Sequence, residues 1–204
     1  GLTVAVVITD ANNNVVASGS AVADSNGDWS FTPATELGLD GTYTVAASTQ
    51  NAAGTPANAT DSFVLDTTAP TVPTVDALDV TNDTTPVITG QGDAGSTITV
   101  TVTPENGPAF ELETVVDANG NWSVEAPELT DGDYEVSAVA TDEAGNTSAP
   151  SDSQTLTVDT AAPTLSVDDL ILTNDATPVI TGKTDAGLTV AVVITDANNN
   201  VVAS

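Results

Sequence analysis

Apolar and polar residues alternate over several short stretches: Ser96 to Thr103 reads STITVTVT, Glu135 to Ala140 reads EVSAVA, and Gln154 to Val158 reads QTLTV. A side-chain period of two carried by Val, Ile and Thr marks strands with one buried face. Between these stretches lie DAGS at Asp93, ENGP at Glu105, DANGN at Asp117, TDGD at Thr130 and DEAGN at Asp142. Their Gly and Asn residues suit the positive φ angles of tight turns. No segment places apolar residues at helical spacing. From about Thr67 to Asp159 the pattern predicts about seven antiparallel strands.

Aromatic positions narrow the fold. Trp122 follows the DANGN turn, where it plugs a core, and Tyr134 in DGDY opens the penultimate strand, the place of a tyrosine corner. The expected class is all-β, an elongated array of tandem immunoglobulin-like β-sandwich modules. Trp29 and Tyr43 repeat the pair, so all four aromatics are expected in cores. An aromatic content of 3% favours packing over a stacked-sugar site.

Internal repetition sets the organisation. GLTVAVVITDANNNVVAS at Gly1 to Ser18 recurs unchanged at Gly187 to Ser204, 186 residues later. A diverged period lies inside that unit. DTTAPT at Asp66 returns as DTAAPT at Asp159, a step of 93, and TNDTTPVITG at Thr81 returns as TNDATPVITG at Thr173, a step of 92. The chain is therefore expected to open inside one module (1–66), hold one whole module (67–159), and close on the opening strands of a third (160–204).

Charge then restricts partners. A net charge of −28 arises from 29 acidic residues against one basic residue, Lys183. Repulsion on this scale needs salt or divalent cations to screen it. Phosphate contacts require Lys and Arg, so nucleic acid and anionic membrane are excluded as partners, and no apolar run has the length of a membrane span. With no His and no Cys, most nucleophile, base and zinc chemistry is absent. What remains is the hard oxygen that calcium prefers. Carboxylate pairs can hydrolyse glycosides, but these acids fall in turns at both ends of the module, so no enzyme is expected.

The ordered set DTTAP, TNDTTPVITG, DAGS, DANGNW, DGDYEVSAVATDEAGN and TLTVDT resembles the bacterial Ig-like repeats of giant type I-secreted adhesins and biofilm-associated proteins. That resemblance implies export to a bacterial cell surface, an extracellular location, and calcium at module junctions that stiffens a long stalk supporting adhesion and biofilm formation.

Strand order supplies an independent expectation, because alternate loops of a sandwich share an end. Turns at Asp93, Asp117 and Asp142 should return beside linker Asp66. Loops at Asn82-Asp83, Glu105 and Asp131 should lie at the opposite end, beside Asp159. Asp66, Asp93, Asp142 and Asn146 are the candidate calcium ligands at one junction. Asp159 and Asp185 are their counterparts at the next, where Asn51 and Ala52 replace Asp142 and Glu143 and weaker calcium binding is expected. At DANGN a plain hairpin turn is preferred to a metal loop. Spacer modules are the leading function. Multivalent weak binding of glycans, ice or other cells by the modules is the alternative, one that an exposed Thr or aromatic ladder would favour. Partners are neighbouring modules of the same chain and, through the two partial modules, head-to-tail self-association.

Overall fold

The computed structural model describes residues 1–169 and 173–203. Two compact units make up the chain, Gly1–Val158 and Asp159–Ser204.

Within the first unit, four strands come first: β1 (Thr3–Thr9), β2 (Val15–Val22), β3 (Gly41–Gln50) and β4 (Pro56–Leu65), joined in the order β2-β1-β3-β4. Eight more follow: β5 (Thr74–Val75), β6 (Val80–Thr81), β7 (Val87–Gln91), β8 (Thr97–Pro104), β9 (Phe110–Val115), β10 (Asn121–Glu125), β11 (Gly132–Thr141) and β12 (Gln154–Val158). These eight form two sheets, β10-β7-β5 and β6-β12-β11-β8-β9. This is the expected immunoglobulin-like sandwich, with two refinements. The opening strand is split into β5 and β6, which lie in different sheets, and β6 runs parallel to β12. A chain that leaves an antiparallel pairing with β7 and crosses to the other sheet keeps its direction, and there it runs the same way as the last strand.

The alternation read from the sequence sets the core. Ile98, Val100 and Val102 of β8 and Val136, Ala138 and Ala140 of β11 are buried, while Thr97, Thr99 and Thr101 face outward and are half-buried. Trp122, 2% exposed, lies against Gly90, and its indole N–H donates to the Gln91 carbonyl at 3.2 Å. A Cβ at position 90 would fall 2.5 Å from the ring and 1.9 Å from the Thr74 carbonyl oxygen, so only glycine allows this approach. Tyr134 makes the expected corner, its hydroxyl donating to the Thr130 carbonyl at 2.8 Å.

The first four strands correct one expectation. Tyr43 is buried and stacks on Phe63 at 5.6 Å, but Trp29 is 41% exposed. Trp122 is covered because β7 pairs with its strand. Among the described residues no second sheet covers β2-β1-β3-β4, and its core is closed instead by Phe31 and Leu37 packing on Val4, Val6 and Ile8.

In the second unit, β13 (Leu165–Val167) pairs antiparallel with β14 (Gly182–Thr184), and β15 (Ile194–Thr195) with β16 (Val201–Ala203). The opening strands expected over 160–204 fall in part outside the described residues, at 170–172 and 204.

Candidate junction site

The acidic turns share one closure. In the β9–β10 turn, Asp117 Oδ1 accepts from the main-chain N–H of Asn119 at 2.8 Å and of Asn121 at 2.9 Å, with Gly120 at φ 84°. Asp142 does the same for Asn146 at 2.8 Å, with Gly145 at φ 91°. Asn51 repeats it with a neutral amide oxygen, accepting from Ala53 and Thr55 at 2.9 and 3.0 Å. The loop therefore needs a side-chain oxygen and no charge.

Asp142 differs in what its second oxygen meets. The Asn146 side-chain N–H donates to Asp142 Oδ2 at 2.8 Å and to the Asp66 main-chain carbonyl at 3.0 Å. The Asn146 side chain first, and its main-chain N–H next, hold the Asp142 carboxyl below its ordinary pKa. Two oxygens from different elements thus converge on one amide nitrogen.

The linker that begins at Asp66 is held from both flanking sheets. Asp40, before β3, accepts at Oδ1 from Thr67 N–H at 2.9 Å and the Thr67 hydroxyl at 2.7 Å, and at Oδ2 from the Thr68 hydroxyl at 2.5 Å. The threonine hydroxyls, Thr68 first and Thr67 next, lower the Asp40 pKa. Asp93, after β7, accepts from Thr71 N–H at 2.7 Å and the Thr71 hydroxyl at 2.9 Å. Asp66 itself accepts from Thr68 N–H at 3.0 Å. In the second unit Asp185 binds Thr164 in the same way, at 3.0 and 2.7 Å. The Thr164 hydroxyl first and its N–H next lower the Asp185 pKa. Asp159 accepts from Ala161 N–H at 3.0 Å.

Loop placement follows the strand-order argument. Gly92 N–H reaches the Gly120 carbonyl at 3.0 Å, and Gly95 N–H the Val116 carbonyl at 3.0 Å. Thr141 pairs with Thr97, which sets the Asp142 turn beside the Asp93 turn. At the other end Glu105 N–H meets the Asp133 carbonyl, and Leu129 N–H the Thr84 carbonyl. Shared ends do not bring the carboxylates to one point, however. Among the described residues no three acidic side chains converge to hold an ion. Asp66 (through its carbonyl), Asp142 and Asn146 meet, Asp93 is engaged by Thr71 instead, and Asp159 and Asp185 have separate partners.

Calcium takes six to eight hard oxygens. The donors at Asp66 and Asp142 are of that kind, and Asn146 carries an amide oxygen of the same kind. The two oxygens that converge here, the Asp66 carbonyl and Asp142 Oδ2, both accept from the Asn146 side-chain N–H. The residues that sequence reasoning missed are Asp40, Thr67, Thr68 and Thr71. The signal was present, because Thr71 recurs as Thr164 and the Asp40-Gly41 pair as Asp131-Gly132, but side chains bonding across 27 positions leave no local pattern.

The family model for the bacterial Ig-like domain matches residues 1–67 and 74–160. No curated protein matches the chain. Among solved structures the chain is similar to a tetra-tandem repeat in the extending region of a large adhesion protein, at 30% identity over 98% of this chain and 54% of that one, with a TM-score of 0.40. It is also similar to a biofilm-associated protein's BSP domain, at 23% identity over 78% of this chain and 26% of that one, TM-score 0.33. A 1.5-MDa bacterial ice-binding adhesin aligns at 25% identity over 81% of this chain and 57% of that one, TM-score 0.37. The chain spans about half the length of the first of these.

Proposed function

Since the chain belongs to the bacterial Ig-like domain family, we propose that its modules are spacers of a bacterial cell-surface adhesin, outside the cell, whose joints resist bending and so project a distant binding region during adhesion and biofilm formation. The observation that carries this reading is the linker. Asp40 from the sheet before it, and Asp93 and Asn146 from the sandwich after it, all bond to the stretch from Asp66 to Thr71. A peptide linker tied on both sides by charge-assisted hydrogen bonds loses the torsional freedom of a free one.

Calcium at this joint is part of the proposal. The Asp66 carbonyl and the Asp142 carboxylate would hold it, with the Asn146 amide turned so that its oxygen replaces the N–H that now bridges them. It would supply positive charge to a chain with one basic residue in 204. Asn51 in place of Asp142 removes that charge from the corresponding loop, so the module types are expected to alternate firm and looser joints.

The chain has no cysteine, so spin labels attached at Val22→Cys and Val115→Cys report the joint alone. Both positions are well exposed. The wild-type chain should give a narrow distance distribution, and Asp40→Ala with Asp93→Ala a broad one. An equally narrow distribution in the variant would end the tied-joint reading. For the ion, thermal unfolding is compared in calcium, magnesium and chelator at matched ionic strength. A rise specific to calcium and lost in Asp142→Ala is expected, whereas equal effects of both cations reduce calcium to screening.

One observation favours the second reading, in which module faces bind weakly and many times. The outer row Thr97, Thr99, Thr101, Thr103 is a regular hydroxyl ladder on β8. Glu113, Glu111 and Glu135 stand opposite the last three of these on β9 and β11. Carboxylates there keep the face hydrated, which favours the spacer.

A further inference from the structure

Three Asn-Gly steps occur in the chain, at 26–27, 106–107 and 119–120. The asparagine is exposed in each, yet the turns differ in what holds the peptide between the two residues. Asp117 fixes the step at 119. Its Oδ1 accepts from Asn119 N–H at 2.8 Å and from Asn121 N–H at 2.9 Å, and its carbonyl accepts from Gly120 N–H at 3.0 Å. The Asn119 side chain also donates to the Asp117 carboxylate. Asp24 holds the step at 26 in the same way but more loosely. Its Oδ1 accepts from Asn26 N–H at 2.8 Å and from Asp28 N–H at 3.0 Å, and its carbonyl from Gly27 N–H at 3.3 Å.

The step at 106 has no such closure. It lies between β8, which ends at Pro104, and β9, which begins at Phe110. Two residues before Asn106, where Asp24 and Asp117 stand in the other turns, the chain has Pro104, whose side chain accepts nothing. Glu105 N–H is still tied to the Asp133 carbonyl at 3.0 Å, but among the described residues neither Asn106 nor Gly107 makes a hydrogen bond.

Asparagine before glycine is prone to cyclise, because glycine has no Cβ to obstruct its own nitrogen or its rotation. The glycine nitrogen attacks the asparagine Cγ. An N–Cγ bond forms, the Cγ–Nδ2 bond breaks, and ammonia leaves with the amide proton. Water then opens the succinimide at either carbonyl, giving aspartate or isoaspartate. Attack requires the backbone to turn until the nitrogen reaches Cγ. Where both N–H groups of the step donate to an aspartate, those bonds must open first, which slows the reaction by roughly tenfold to a hundredfold.

We propose that Asn106 is a self-modification site, deamidating in water without an enzyme, while the turns around Asn26 and Asn119 protect theirs. The product adds a carboxylate to a loop that already carries Glu105 and adjoins Asp133, and isoaspartate lengthens the main chain there by one carbon. The loop lies outside the paired residues of β8 and β9, so the sandwich keeps its register. In the other module type the corresponding loop, Asp10 to Asn14, is closed on Asp10 and holds no Asn-Gly step. The unprotected step therefore belongs to one module type. This inference stands apart from the spacer and calcium readings.

The full chain is held at mildly alkaline pH in heavy-oxygen water, digested with pepsin in acid, and mapped by mass spectrometry. Heavy oxygen marks only product formed during the incubation. Asn106 should convert roughly tenfold faster than Asn119 or more, with Asn26 between them, and Asn106→Gln should lose the label from that loop. Asp117→Ala removes the carboxylate ties of the other turn and should speed Asn119 by about fivefold or more while Asn106 is unchanged. Far-ultraviolet dichroism confirms that each variant is folded. In denaturant, where all three turns are lost, the three rates should converge. The proposal is overturned by an Asn106 as stable as Asn119 in the folded chain, or by an Asn119 that Asp117→Ala leaves as slow as before. A lead for Asn106 that persists undiminished in denaturant overturns it too, since local sequence and not the fold would then set the rate.

Discussion

The same eighteen residues occur twice in this chain, and where both copies are described their strands differ. At Gly1 to Ser18 the stretch Thr3–Thr9 is a seven-residue strand with Val4, Val6 and Ile8 buried. At Gly187 onward the identical stretch is strand only at Ile194–Thr195, and Val190, Val192 and Ile194 are exposed. The neighbours differ. β1 lies between β2 and β3 and is covered by Phe31 and Leu37, whereas among the described residues β15 pairs with β16 alone. The turn, by contrast, is identical in both copies. Asp10 accepts from Asn12 and Asn14 at 2.9 and 2.8 Å, and Asp196 from Asn198 and Asn200 at 2.8 and 2.9 Å. Asn13 and Asn199 sit at φ 61° and 64°. A hairpin turn is thus a property of five residues, and a strand is a property of what lies beside it.

The strongest challenge to this contrast is a charge placed at equivalent positions. Val6 is 1% and Val192 48% exposed. Val6→Asp should cost roughly 3–5 kcal/mol as an unpaired buried carboxylate, and Val192→Asp within about 0.5 kcal/mol, by denaturant unfolding with hydrogen exchange assigning the affected strands. Equal losses would show that the second copy is packed like the first.

A smaller and symmetric effect should come from the turns. Asn13→Val and Asn199→Val each force a β-branched residue into the left-handed region, and each should weaken its own hairpin by about 1–2 kcal/mol, seen as faster exchange of the closing amides. A loss at one copy only would make the turn depend on its surroundings.

The smallest effect is in titration. Side-chain donation from Asn14, then main-chain donation from Asn14 and Asn12, lowers the Asp10 pKa. Asn200, by side chain and main chain, and then Asn198 lower that of Asp196. A depressed folded pKa means that each carboxylate supports its turn above the ordinary carboxylate range, and that this support is lost as pH falls through the lowered value. Carboxyl carbon shifts followed by NMR should show both groups titrating low. A normal Asp196 beside a low Asp10 would tie the turn to tertiary context.

The candidate site was legible only in part. Asp66, Asp142 and Asn146 were readable because they sit in repeated turns whose ends strand order assigns. Asp93 was placed at the correct end, yet its carboxylate is taken by Thr71, and no loop pattern shows which of several nearby hydroxyls a side chain will choose. Asp40 was not readable as a linker ligand at all, since its partners lie 27 and 28 residues away. Trp29 was read as core from its repeat with Trp122, and failed because core membership belongs to a pair of sheets.

From sequence alone came the all-β class, the repeat, the turn conformations, and the outward face of β8. These depend on side-chain period and on φ preferences acting over a few residues. Only tertiary structure decided which copy of an identical segment is a full strand, which tryptophan is buried, and which carboxylate ties the linker. Each of those outcomes is fixed by a neighbour distant in sequence, through backbone pairing and exclusion of water.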